Sequence, residues 1–365
     1  MRLPAAILFS LFVLTSCSQR SLKSLQKRNV RITGSVVMQS SSIINDTVKL
    51  QYLGCGGFYL QQNDQAIMID PFFSHQSFMR IGRSILFGGK LKPMINQLDF
   101  GRRLVLDSMN VRKESLGGRV KGIFSAHGHY DHLMDVPFIY NEWLAQQPEI
   151  FVNSSSTTTL RHVIPSAKLN DIEKIAAVRN QEGDSIEFHS NGSIIRVYPI
   201  FADHNPHSRN IKLFAGSATK PPKDFDHHRD KTRVNDWLEG QTLSFLIDLV
   251  KNDQVYYRIF MQSSSCQFPN GIPPANLLEN RKVDLAILGI ASYHFSQNTY
   301  PCEFLNVLQP RNLVFVHWED FFRKVHQRPK AVKTNDIPRF FNDIFSRCKM
   351  DYQMPLPGSV IRISR

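Results

Sequence analysis

Ser125-Ala126-His127-Gly128-His129-Tyr130-Asp131-His132 directly follows the apolar run Gly122-Ile123-Phe124. Three imidazoles and a carboxylate thus fall within six residues. At an extended strand end, residues two apart point the same way, so His127 and His129 can share one ion. Asp131 and His132 open the next element, where they can face a second ion. A lone histidine reads as a surface or satisfied core residue, whereas four ligand types at this spacing after a strand read as a metal site.

Three further groups occupy comparable places. The pattern predicts a strand over 48–53, a hairpin pair over 58–60 and 66–69 around Asn63-Asp64, and Asp70 closing the second of these. Strands over 185–188 and 193–201 deliver Asp203-His204. A hairpin over 242–249 and 256–261 leads into Gln262-Ser263-Ser264-Ser265-Cys266, and a nearly continuous apolar run marks a buried strand over 283–290. A strand over 313–316 delivers His317-Trp318-Glu319-Asp320, and 360–363 is the final strand. Helices are expected over 94–109, 133–144, 157–164, 171–178, 301–308 and 337–348. Loops on one sheet edge bring Asp70, His204 and His317 to the histidine cluster, the physical condition for a shared site.

Two segments interrupt this scheme. Residues 74–120 form an insertion with nine Lys or Arg against three acidic residues. Within it Phe78, Met79, Ile81, Ile85, Leu86 and Phe87 alternate with Arg80, Arg83 and Lys90, the pattern of a cationic amphipathic helix or of a helix capping the core edge. Residues 205–240 are polar and contain His207, His227 and His228, and are most simply a long loop.

The pattern of Asp70, His127 to His132, His204 and His317 resembles the metallo-β-lactamase superfamily of dinuclear metal hydrolases, from about residue 48 to 363. Tyr52-Leu53-Gly54, Ile69-Asp70-Pro71 and His129-Tyr130-Asp131-His132 are most similar to the branch that includes N-acyl-phosphatidylethanolamine phospholipase D and ascorbate-phosphate lactonases. The resemblance implies an α/β fold, a four-layer αββα sandwich. It implies that His127, His129 and His204 hold a first zinc, that Asp131, His132 and His317 hold a second, and that Asp70 orients a ligand from behind. Manganese or iron could replace zinc. Asp131 would also be catalytic, orienting a metal-bound water and shuttling its proton. One departure matters. The family usually supplies a bridging carboxylate where this chain has Gln262-Ser263-Ser264, and a serine such as Ser263 is a poor ligand for a divalent ion. Cys266 is close enough in sequence to be weighed as a substitute, against a buried or disulfide-linked cysteine.

The 365 residues, with 42% apolar and 21% charged, suit one large globular domain and argue against disorder. A formal net charge of +13 suggests an anionic surface or substrate. No aromatic-basic pattern suggests nucleic acid. Met1-Arg2 and the apolar run from Leu3 to Leu14 read as an export signal too short to span a bilayer. Leu14-Thr15-Ser16-Cys17 resembles a bacterial lipoprotein cleavage box, with Cys17 the lipidated first residue. With Ser18 and Gln19 following, an outer-membrane address in the cell envelope is expected. The division is then 1–16 signal, 17–46 basic flexible tether, and 47–365 a domain of the metallo-β-lactamase type, as the resemblance implies, with insertions at about 74–120 and 205–240. In an oxidising compartment Cys55, Cys266, Cys302 and Cys348 allow one or two disulfides, with the pairing open. Two functions compete: a lipid-anchored hydrolase of an anionic ester, phosphodiester or phospholipid, with a lactonase or amide hydrolase as its near alternative, and a non-catalytic metal-binding protein on a degenerate fold.

Overall fold

The computed structural model describes residues 20–34, 36–39, 48–179, 181–207, 211–223, 225–226, 232–279, 281–296, 300–333 and 335–364. The expected signal, Cys17, His227 and His228 lie outside them. Among the described residues no helix is long and apolar enough to cross a membrane.

Two sheets face each other. The first has eight strands in the order Val36–Gln39, Val360–Ser364, Val48–Gly54, Gly57–Gln62, Gln65–Ile69, Val120–Phe124, Glu149–Val152 and Leu169–Asp171. The second has six, in the order Asn312–Val316, Leu285–Gly289, Gln254–Gln262, Leu243–Lys251, Ser193–Phe201 and Ile186–Ser190. Period-two alternation divides each strand between two cores. Ile67, Ile69 and Phe124 point inward to meet Phe245, Ile287 and Val314 of the second sheet. Their neighbours Met68 and Ile123 point outward and pack under Leu98, Val105 and Leu133. On the far side, Leu246, Phe260 and Phe315 are covered by Phe304, Phe340 and Phe345. The order is helix, sheet, sheet, helix: the expected αββα sandwich. Central strands buried on both faces must be apolar throughout, which is why the runs at 67–69 and 285–290 lack alternation.

Topology places the site. Gln65–Ile69, Val120–Phe124 and Glu149–Val152 run parallel, so Asp70 and the histidine cluster emerge at one edge. In the second sheet, Gln254–Gln262, Leu285–Gly289 and Asn312–Val316 are parallel. Ser193–Phe201 shares their direction through two antiparallel pairings. His204, Ser263 and His317 therefore leave from one edge too. The two edges are joined where Leu243 N–H donates to Ala126 O at 2.8 Å.

The tether expected over 17–46 is not one over its described part. Leu22–Lys27 is a helix with Leu22 and Leu25 buried in the second helical layer. Arg20 is 7% exposed and forms an ion pair with Asp320. Ile32–Thr33 and Val36–Gln39 each pair with a strand from the C-terminal region. The insertion at 74–120 folds as three helices, Phe78–Phe87, Ile95–Met109 and Lys113–Arg119. The helix expected over 133–144 breaks into Tyr130–Leu133, Val136–Phe138 and a π-turn Ile139–Trp143, with Pro137 in the first turn of the middle piece. Over 171–178 there is only a 3₁₀ turn, Ile172–Ile175, preceded by the unexpected edge strand Leu169–Asp171. Cys302 and Cys348 form a disulfide, while Cys55 and Cys266 are buried free thiols.

Candidate metal centre

Strand Val120–Phe124 ends at the cluster, and the chain beyond it is held in place by backbone contacts. Gly128 N–H donates to Glu239 O at 2.9 Å. A Cβ on Gly128 would stand 2.1 Å from Leu238 O, so only glycine fits between the two histidines. His129 then precedes the short helix Tyr130–Leu133, which presents Asp131 and His132.

His127, His129 and His204 each offer a ring nitrogen, and the three lie within 4.8 Å of one another. Asp131, His132 and His317 form a second trio by the same measure. Facing atoms are close: His127 Nε2 and His129 Nδ1 are 2.9 Å apart, and Asp131 Oδ2 is 3.7 Å from His317 Nε2 and 3.9 Å from His132 Nε2. The trios adjoin, with the His127 and His132 rings 4.1 Å apart.

Groups behind the ligands aim them. Asp70, at φ 45°, accepts from Ala126 N–H at 2.8 Å through Oδ1 and holds Oδ2 3.1 Å from His132 Nδ1. That contact leaves His132 Nε2 facing Asp131 Oδ2 at 3.9 Å. His204 Nδ1–H donates to Asn205 O at 2.6 Å, which frees its Nε2. Glu239 Oε2 is 3.9 Å from His129 Nε2, on the side away from His127, while its Oε1 pairs with Lys212 at 2.8 Å. His317, at φ 56°, is fixed by its own N–H donating to Tyr52 Oη at 2.9 Å. Tyr52 Oη–H in turn donates to Glu319 at 2.8 Å.

Electrostatics favour bare nitrogens. Burial, then the neighbouring imidazoles, push His127, His129, His204 and His317 well below the ordinary histidine range, so they are neutral at pH 7. Burial also depresses His132, but Asp70 and Asp131 outweigh it and the net shift is upward. Burial raises Asp131, partly offset by His132. The ring nitrogens turned away from the centre, His127 Nδ1, His129 Nε2 and His317 Nδ1, are buried without a hydrogen-bond partner. A cation at the trios would instead engage the opposite nitrogens, such as His127 Nε2 and His129 Nδ1, which face each other at 2.9 Å. Five imidazoles with one carboxylate are the donor set that zinc or iron takes, so the residues present fit a metal pair.

A cavity of about 160 Å³ opens over both trios. Its walls include Phe78, Ile81, Ile85, Phe214, Phe321 and Phe322, and its polar lining is His129, Asp131, His204, His207, Ser292 and His317 with Tyr130. Among the described residues no Lys or Arg lines it. The cations of the insertion, expected to meet an anionic substrate, thus lie outside the cavity.

The structure separates the remaining candidates. Ser263 follows strand Gln254–Gln262 at the ligand edge, its Oγ buried and unpartnered and its Cβ 2.8 Å from where a Cβ on Gly56 would lie. Cys266 is no substitute ligand: it accepts from Gln262 Nε2 at 3.0 Å and donates to Asn270 O at 2.9 Å, and burial raises its pKa to about 12. Sequence reasoning missed Glu239, Tyr52 and Glu319 and set His207 in a solvated loop. His207 instead stacks on His204 at 4.9 Å and lies 5.3 Å from His129. Leu213 N–H donates to its Nδ1 at 3.1 Å, so its ring proton sits on Nε2. Leu213 and Phe214 follow it into the cavity wall, and that apolar pair beside a histidine was the available signal.

No protein-family model and no curated protein sequence matches the chain. The architecture is similar to that of several solved structures. Igni18, a metallo hydrolase from the archaeon Ignicoccus hospitalis, is 14% identical, with 87% of this chain and 99% of that one covered at a TM-score of 0.49. The metallo-beta-lactamase fold protein YhfI from Bacillus subtilis is 8% identical over 86% and 99%, at 0.46. CmlA, a diiron beta-hydroxylase from Streptomyces venezuelae, is 11% identical over 86% and 53%, at 0.43.

Proposed function

We propose that the chain is a metal-dependent hydrolase of a lipophilic ester, a phosphodiester of the phospholipid kind. The observation that carries this reading is the pair of buried ligand trios at the base of an apolar-walled cavity. Zinc is the favoured metal, with manganese or iron as alternatives. When bound, such ions lower the pKa of a coordinated water toward neutrality and polarise a carbonyl or phosphoryl oxygen.

The chain's own groups divide the remaining work. Asp131 faces both the second trio and the cavity, where its carboxylate can orient a water and accept its proton. His207 Nε2–H, on the first-trio side, is a fixed donor for a substrate oxygen. The phenylalanines and isoleucines of the wall exclude water and accept an acyl or aryl group. Among the described residues no Lys or Arg lines the cavity, so ions held by the trios would be what neutralises an anionic head. Residues 1–17 support export and acylation at Cys17, in the envelope of a bacterium; labelled palmitate should be incorporated by wild type and not by Cys17→Ser.

A second reading is favoured by Ser263, which stands where a bridging carboxylate would be: a metal-binding protein without turnover. The test is a panel of phosphodiester, lactone, amide and β-lactam substrates on metal-loaded protein. Turnover of the phosphodiester that is lost in His129→Ala supports the hydrolase. Metal binding without turnover, with activity gained in Ser263→Asp, supports the second reading instead.

A further inference from the structure

Helix Phe78–Phe87 has two faces with different uses. Phe78, Ile81 and Ile85 point into the cavity wall. The opposite stripe, at spacing i, i+4, i+8, is Met79, Arg83 and Phe87, and all three are exposed. Met79 is 64% exposed and Phe87 83%, and Ile95, at the start of the next helix, is 42%. Scattered exposed apolar side chains are ordinary. Here three of the six large ones recorded across the described residues fall within 17 positions, on the insertion that walls the cavity.

Exposed cations lie close to them in the chain. Arg83, Lys90 and Lys92 are exposed on the same insertion. The neighbouring loop adds exposed Lys324 and Arg328, and residues 321–333 contain five Lys or Arg and no acid. That loop is fastened to the helix, since the Phe78 and Phe322 rings pack edge to face at 5.3 Å. It begins just after Asp320, the partner of Arg20.

We infer that this face, the outer stripe of Phe78–Phe87 with its cationic rim, docks on an anionic phospholipid surface. Charge complementarity selects the occupant: apolar tips ringed by Lys and Arg match the boundary between headgroups and acyl chains. Chain length supplies independent support. Cys17 is three residues before Arg20, so its Cα lies within roughly 11 Å of that residue whatever path the chain takes. The proposed acylation would therefore tether the protein to the membrane beside Asp320, Phe321 and Phe322, on the cavity side. The inference rests on the hydrolase reading only for the purpose of docking, and the test below needs neither metal nor turnover.

The experiment uses the full chain with Cys17→Ser and Phe87→Cys, labelled with an environment-sensitive fluorophore. Cys55 and Cys266 are buried and Cys302 and Cys348 are bonded to each other, so the label is selective. A control label at Asp253→Cys sits in the turn at the opposite end of strand Gln254–Gln262 from the site. On phosphatidylglycerol vesicles the label at position 87 is expected to shift to the blue and to be quenched by brominated acyl chains, while that at 253 is unaffected. Arg83→Glu with Lys90→Glu is expected to weaken partitioning onto these vesicles roughly tenfold or more. A label at 87 that stays water-exposed, equal shifts at both positions, or partitioning unchanged by charge reversal overturns the inference. Docking as expected by metal-loaded protein that turns over no substrate of the panel would instead count against the hydrolase reading.

Discussion

At the scale of single residues, His317 shows how the second trio is held. Its backbone is in the left-handed region, a conformation that must be maintained by its surroundings. The hold is a relay: His317 N–H to Tyr52 Oη, and Tyr52 Oη–H to Glu319, which also accepts from Cys55 N–H. All of these groups are buried. Tyr52→Phe removes the acceptor for His317 and one donor to Glu319, so it should cost about 1–3 kcal/mol of stability. Metal affinity at the second trio should fall about 10–100-fold. Urea unfolding and metal titration read the two effects separately. Unchanged metal affinity in a destabilised variant would make the relay purely structural.

At the scale of elements, the segment Leu22–Lys27 and the Cys302–Cys348 bridge close the second helical layer. Leu25 is 1% exposed, so Leu25→Ala should cost about 2–5 kcal/mol, a loss that a flexible tether would not show. The disulfide closes a loop of 46 residues, and its reduction should cost about 2–4 kcal/mol by denaturant unfolding. The strands and four of the six residues gathered in the two trios, His127, His129, Asp131 and His132, were legible because both signals are local, while His204 and His317 were marked only by their places after apolar strands. Doubly buried strands must be apolar throughout, and His127 to His132 lie side by side in the chain. The segment from Arg20 to Thr33 was misread because its cations dominate its composition, while Leu22, Leu25 and Val30 are too few to establish a period. Its anchors, Asp320 and the strand at Met354–Pro355, lie some 300 residues away. Glu239, His207 and Tyr52 share that difficulty: each acquires its role only when distant segments meet, as when Tyr52 meets His317 and Glu319.

At the scale of the molecule, two buried groups give stability opposing dependences on pH. Burial lowers His75 to about 4, although its Nδ1–H donates to Arg323 O. Its contribution is present above the unfolded value near 6.5 and is lost as pH falls toward 4. Burial raises Asp135 to about 6 despite the N–H groups of Phe73 and Ser74. Its contribution is present below the unfolded value near 3.9 and is lost as pH rises through 6. Each shift corresponds to about 3 kcal/mol. Relative to wild type, His75→Asn should therefore be more destabilising at pH 7 than at pH 4. Asp135→Asn should gain stability over the same rise, and thermal unfolding across that range checks both. A shared sign for the two variants would contradict these assignments.

The central claim is that the edges of the two sheets assemble a metal centre from residues spread over most of the chain. Elemental analysis of purified wild type and His129→Ala tests it most directly. The account predicts at least one equivalent of zinc, manganese or iron per wild-type chain, reduced in His129→Ala while the circular dichroism spectrum is retained. A folded wild-type protein that holds none of these metals after incubation with each would contradict it.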